Sequence, residues 1–400
     1  MKLVPNPDAR KSAPWTAAQD TILSDVALAE ARSVVSSWEG YAPTPLVSLA
    51  ALAAHAGLAS LHVKDEGARF GLGSFKALGG AYAVAQVLAR ATRENAGHDV
   101  TAEEVANGAV QHLVRGVTVT CATDGNHGRS VAWGARRFGC HAVIFIHETV
   151  SEGRRAAIAR YGANVRRVPG DYDDSVRIAA ETAATEGWHV VSDTSWSGYT
   201  DVPRHVMQGY EIMAAEAFEA LNEPPTHIFL QTGVGGMAAA VAGLAKRRWG
   251  TDRPTVVLCD PEGAACWAES FAAGVPAPAK GEVETLQAGL ACGEVSLLAW
   301  EILKDHGDFV LTIPDTMVGP AMRRLAFPLP SDPPVVAGES AVAGLIGCLE
   351  AEDSIRTAIG LEKASRVLVF ATEGDTDPDL YRAITGIDAD SVRKGKEYGP

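Results

Sequence analysis

Short apolar, β-branched runs recur along the chain, each followed by a stretch of helical periodicity, and this alternation limits the fold more than any other feature. VTVTCA (from Val117), AVIFI (from Ala142), NVRRV (from Asn164) and HVVSD (from His189) read as strands. The segments between them, beginning near His127, Ser151 and Tyr172, have Ala-rich faces at helical spacing and Ser or Asp at plausible caps. HIFLQT (from His227), TVVLCD (from Thr255), FVLTIPD (from Phe309) and RVLVFAT (from Arg366) continue the pattern. A strand that is apolar on both faces needs cover on both, and the intervening helices supply it. The expected class is therefore α/β, with mainly parallel sheets flanked by helices.

Other segments read differently. Residues 1–40 look like an extension, and YAPTPLVSL leads into a first strand, LHVKDE. Ala91–Arg115 is polar and weakly periodic, as expected of a surface insertion, and FPLPSDPPVVAG, from Phe327, is too rich in proline for regular structure. With 49 acidic and 35 basic residues the formal charge is −14, which argues against nucleic acid or an anionic membrane surface as partner. The six cysteines are scattered without a CxxC pair and read as reduced core thiols. The N-terminus has no apolar signal core, and no apolar run reaches membrane-spanning length. These features place the expected protein in the cytoplasm.

Three segments carry chemistry. In GLGSFKALGGAYAVAQVLAR, from Gly71, Ser74 reads as an N-cap and Lys76 falls in the first helical turn. The helix dipole disfavours a cation there, which suits an amine whose ammonium is to be destabilised; the plain alternative is a surface lysine. In TVTCATDGNHGRSVAWGARRFGC, a strand runs into a polar loop of Thr123, Asp124, Gly125 and Asn126, and a helix begins near His127. Such amides suit a substrate carboxylate, and the Asn126 side chain can donate to a ring oxygen. For His127 a structural role in the loop outweighs that of a base. In HIFLQTGVGGMAAAVAGL, Gly233, Val234, Gly235, Gly236 and Met237 open a helix whose amides suit a phosphate. The pattern stays ambiguous, because Gly233, Gly235 and Ala238 with Asp260 also fit a dinucleotide fingerprint.

Taken in order, SFK, GNHG, the glycine loop and a late strand ending at Thr372 resemble the fold type II pyridoxal-phosphate enzymes, the family of threonine dehydratase and tryptophan synthase β. The resemblance implies two domains, 1–80 with 205–400 binding the cofactor and 81–204 forming a smaller one, with the active site in the cleft between them. It also implies a homodimer. Lys76 would carry pyridoxal 5'-phosphate, Asn126 would contact its 3′-oxygen, Gly233–Met237 would hold its phosphate, Thr372 would face its pyridine nitrogen, and Phe75 would pack beside the ring. DEGARFGLGSFK, TDGNHG, SDTSWSGY and ATEGDTDP depart from threonine dehydratase and look like the diaminopropionate ammonia-lyases.

That narrower resemblance implies elimination of ammonia from a small amino acid, 2,3-diaminopropionate, to pyruvate. Lys76 would be the base for the L-isomer, Asp124 the base for the D-isomer, and Asp193 the partner of the substrate's β-ammonium. Thr123, Gly125 and His127 would line the substrate with them. Plain alternatives remain for both acids: Asp124 as a turn former and Asp193 as a helix cap. Glu339, in VAGES, is expected only to shape an entrance. A serine, threonine or hydroxyaspartate dehydratase is the alternative among enzymes: it shares the cofactor and differs at the β-leaving group. A nicotinamide dehydrogenase built on Gly233–Asp260 and a non-catalytic binding protein are the readings from other classes.

Overall fold

A computed structural model describes residues 1–170 and 172–395. Its strands, in chain order, are β1 (Leu3–Pro5), β2 (Leu46–Ser48), β3 (Ser60–Asp65), β4 (Thr118–Ala122), β5 (His141–His147), β6 (Asn164–Val168), β7 (His189–Val190), β8 (His227–Gln231), β9 (Thr255–Pro261), β10 (Phe309–Ile313) and β11 (Arg366–Ala371). The chain divides into two compact units. One comprises Met1–Thr21, Pro43–Ser74 and the residues from Met213 onward; the other comprises Ile22–Ala42 and Phe75–Ile212. Phe75–Gly80 and residues 205–212 thus pack with the second unit, where the sequence suggests boundaries at 80 and 204.

In the first unit a seven-stranded sheet has the order β1-β10-β9-β8-β11-β3-β2. The interior strands pair in parallel, and antiparallel strands close both edges. Consecutive apolar residues account for this, since β8, β9 and β10 are almost wholly buried. The N-terminal segment is more than an extension: Leu3 pairs with Leu311 and completes one edge. In the second unit four parallel strands run β6-β5-β4-β7.

Ala91–Arg115 is also not an irregular insertion. The helix Lys76–Ala96 runs through its start, and the helix Ala102–Ala106 follows, with a capping box between Thr101 and Glu104. Val100, Val105, Val110 and Val114 are buried beneath it. The two helices after Ala96, Ala102–Ala106 and Gln111–Val114, are too short to print a full apolar face on the sequence. The proline-rich segment after Phe327 is irregular, as its composition predicts.

A buried ionic cluster fixes the stretch after β3. Lys64 and Arg69 each approach Glu216 to 2.6 Å, and Arg69 also reaches Glu66 at 2.8 Å. Lys64 further donates to the carbonyl of Thr44 at 2.7 Å. All four charged side chains are at most 1% exposed, so each depends on the others to offset the loss of water. Arg69→Met removes the guanidinium that Glu66 and Glu216 share and leaves them Lys64 and the Thr44 donors. The expected loss of stability is about 3–5 kcal/mol, read as a lower denaturation midpoint. The exposed pair Arg382–Asp388 serves as control, with Arg382→Met changing stability by less than about 0.5 kcal/mol.

Candidate active site

Polar residues gather at the carboxyl ends of the parallel strands, where the chain leaves each strand for its helix. In the second unit β4 leads to Asp124, β5 ends in His147, and β7 leads to Asp193. The turn before Asp193 is pinned by Tyr199, whose hydroxyl donates to the Val190 carbonyl at 2.8 Å and accepts from the Ser192 amide at 3.1 Å. Trp196 stacks on Tyr199 with ring centroids 4.2 Å apart.

Lys76 opens its helix, as its sequence position predicts, but Ser74 is not the cap. Ser74 forms a β-bridge with Glu373, and Phe75 occupies the cap position without a side-chain bond. The Lys76 Nζ donates to Asp193 Oδ2 at 2.6 Å. It also stands 5.5 Å from the Phe75 ring centroid and 5.7 Å from that of Tyr210. Burial would raise the Asp193 carboxyl, but His127 and Lys76 beside it hold it well below the usual carboxylate range. Asp193 and Lys76 therefore face each other, partly buried, with the Phe75 and Tyr210 rings beside the amine.

His127 supports this pair from within the fold. Its Nε2 lies 2.7 Å from the Val191 carbonyl, which can only accept, so Nε2 carries a proton. Its Nδ1 is buried, has no hydrogen-bond partner among the described residues, and lies 3.7 Å from Asp193 Oδ2. The helices that carry Lys76 and His127 pack closely at Gly80, where a Cβ would meet Ser130 Oγ at 2.0 Å. Thr123 holds the loop itself, its hydroxyl accepting from the amides of Gly125 and Gly128, both at 3.0 Å. Asn126 is the first residue of the helix Asn126–Phe138. Asp124 Oδ1 bonds to His147 Nε2 at 2.6 Å. Sequence reasoning missed His147, Tyr199 and Tyr210; His147 and Tyr210 come from segments distant from Asp124 and Lys76, while Tyr199 bonds back within its own turn.

In the first unit Gly235 caps the helix Gly236–Trp249 at φ +94°, and a Cβ there would meet the Trp267 ring at 2.2 Å. Trp267 Nε1 donates to the Gly233 carbonyl at 3.0 Å, and the Ser296 amide donates to that of Val234 at 2.9 Å. The loop's carbonyls are thus engaged, while the first amides of the helix have no partner within it. Thr372, at the end of β11, accepts from Gln231 Nε2 at 2.7 Å, which leaves its own proton to donate. These residues fit a phosphate ester and a ring nitrogen, and Lys76 is an amine of the kind a carbonyl cofactor requires. Glu339 is buried in the segment that follows Val336.

The dinucleotide reading of Gly233–Asp260 fails on Asp260. That carboxylate is fully buried, and it accepts from the Thr232 hydroxyl and from the amides of Trp267 (2.9 Å) and Ala268 (3.0 Å). It caps the helix Cys266–Ala273 and has nothing left for a ribose. Burial pushes its carboxyl up to about 7, with these three donors acting in the opposite direction.

Comparison with known proteins agrees with this chemistry. The family model for pyridoxal-phosphate dependent enzymes matches residues 38–373. The diaminopropionate ammonia-lyase of Escherichia coli strain K12 is 39% identical over 354 residues, spanning 86% of this chain and 87% of that protein. The crystal structure of the selenomethionine-substituted holo form of the Escherichia coli enzyme matches with a TM-score of 0.87 at 35% identity, covering 96% of both chains. The same enzyme in complex with an aminoacrylate–PLP azomethine reaction intermediate matches with a TM-score of 0.85, again at 35% identity and 96% of both chains.

The depressed Asp193 carboxyl sets a sign for acid stability. Stability from a lowered acid is present above its ordinary range and is lost as pH falls through the folded value. Asp193→Asn is expected to weaken the protein at neutral pH and to make its melting temperature fall less steeply on acidification. Melting curves from neutral pH down to about pH 3 check both effects.

Proposed function

Because the chain belongs to the pyridoxal-phosphate dependent enzymes and, within them, to the diaminopropionate ammonia-lyases, we propose that it eliminates ammonia from 2,3-diaminopropionate, with hydrolysis of the enamine then giving pyruvate and a second ammonia. The observation that carries the reading is the 2.6 Å contact between Lys76 and Asp193. It sets a carboxylate that already accepts an ammonium beside the amine that would hold the cofactor.

Pyridoxal phosphate, when bound, supplies the electron sink for the pair left at Cα once its proton departs. Lys76 would hold that cofactor, and the amides of Gly233–Met237 would take its phosphate. Thr372 would donate to the pyridine nitrogen, Asn126 to the ring oxygen, and Phe75 would pack beside the ring. Once the substrate's amino group has displaced it from the cofactor, Lys76 would be a free amine able to take the Cα proton of the L-isomer. Asp124 takes the Cα proton of the D-isomer, which points the other way. Thr123, Gly125 and His127 keep the loop in the shape that receives the substrate. Asp193 accepts a hydrogen bond from the β-ammonium and keeps that nitrogen protonated, so it departs as neutral ammonia. A hydroxyl gains no such charge contact, which favours an amine over serine or threonine. We also read the enzyme as a cytoplasmic homodimer; its six free cysteines suit a reducing compartment, and light scattering of the purified protein measures its state.

Release of pyruvate and ammonia from D- and L-diaminopropionate, with D- and L-serine as controls, tests the activity. Faster turnover of either serine would overturn the substrate assignment. Lys76→Ala is expected to abolish both turnover and the visible absorption of protein incubated with pyridoxal phosphate. Asp124→Asn is expected to reduce turnover of the D-isomer by about 10²–10⁴-fold relative to the L-isomer. Equal losses on both isomers would remove Asp124 as the second base.

A further inference from the structure

We infer that His147 is a positioning residue for Asp124, holding its carboxylate as the base for D-configured substrate. The inference rests on the reading of Asp124 given above and adds the group that makes it serviceable.

The sheet register brings the two residues together. Ala122 of β4 pairs with Phe145 of β5, and the Thr123 amide donates to the Phe145 carbonyl at 3.0 Å. Asp124 lies two residues past Ala122, in the bend that follows β4, and His147 lies two residues past Phe145, at the end of β5. They meet at the strand ends, where His147 Nε2 lies 2.6 Å from Asp124 Oδ1. On the far side of the ring, Nδ1 lies 2.9 Å from Thr149 Oγ1. With Nδ1 accepting from the Thr149 hydroxyl, Nε2 carries the proton and donates to the carboxylate.

This is unlike a solvated surface pair. The imidazole is 15% exposed and the carboxylate 25% exposed. The turn carrying His147 and Thr149 is also fixed from behind. Arg167 Nη1 donates to the carbonyls of His147 (3.3 Å), Glu148 (2.8 Å) and Val150 (2.7 Å). Asp124 has only a short side chain on a glycine-flanked loop, so a free rotamer would spread its oxygens over several directions. One bond to Oδ1 removes that freedom and leaves Oδ2 unengaged by the ring. Orientation of a base by a bonded neighbour is a general requirement for efficient proton abstraction.

The test compares kcat on D- and L-diaminopropionate for His147→Leu, His147→Gln, Asp124→Asn and the double variant Asp124→Asn/His147→Leu, all as cofactor-loaded full-length protein. His147→Leu is expected to lower the ratio of D to L turnover by about 10- to 100-fold, through kcat more than KM. His147→Gln, which keeps an N–H donor, is expected to recover a large part of that ratio. The double variant is expected to match Asp124→Asn alone, since His147 acts only through the carboxylate. Equal loss on both isomers in His147→Leu, or no change in the ratio, overturns the inference while the Asp124 assignment stands if Asp124→Asn is selective. A non-selective Asp124→Asn overturns both.

Discussion

The contact between Lys76 and Asp193 is the interaction around which the chemistry of the second unit is arranged. A lysine in a first helical turn faces the positive end of the helix dipole, and a partly buried aspartate loses hydration. Each is unfavourable by itself. Joined at 2.6 Å they offset one another, and His127 adds further positive potential on the same carboxylate. The pair therefore depends on β7 and the Tyr199 hydroxyl, which deliver Asp193, and on Gly80, which lets the helices approach.

The same geometrical constraint governs both units. Parallel strands send every helix off from one edge of the sheet, so polar residues that follow the strands collect there. In the second unit this edge holds Asp124, His147 and Asp193, from the adjacent strands β4, β5 and β7 respectively. In the first unit it holds Gln231 and Thr372 at the ends of the neighbouring strands β8 and β11, with Asp260 on β9 committed to a helix cap. A carboxylate's role follows from what surrounds it. Asp260 is sealed by three donors, whereas Asp124 and Asp193 keep some exposure to solvent.

Where reading the residues alone misled, the cause was contact between distant segments. Ser74 has the composition of a cap but pairs with Glu373, three hundred residues away along the chain. The helices within Ala91–Arg115 bury valines that look isolated in a polar stretch. Leu3 finds Leu311 at a sheet edge that no local pattern announces. His147 ends an apolar strand as a lone histidine, and only its register against β4 turns it into the neighbour of Asp124.

The sequence by itself determined the α/β class, the parallel interior of the sheets, the glycine loop and the place of Lys76 at a helix start. Those depend on residues close together in the chain: β-branched runs, helical spacing, and glycine at a positive φ. Ordered motifs were also enough to suggest the cofactor family. Only the tertiary structure decided which groups stand beside Lys76, that Asp124 is held by His147, and that Asp260 is closed to any ligand. These depend on strand register and burial, and a dielectric environment assembled from distant segments leaves no mark on any one of them.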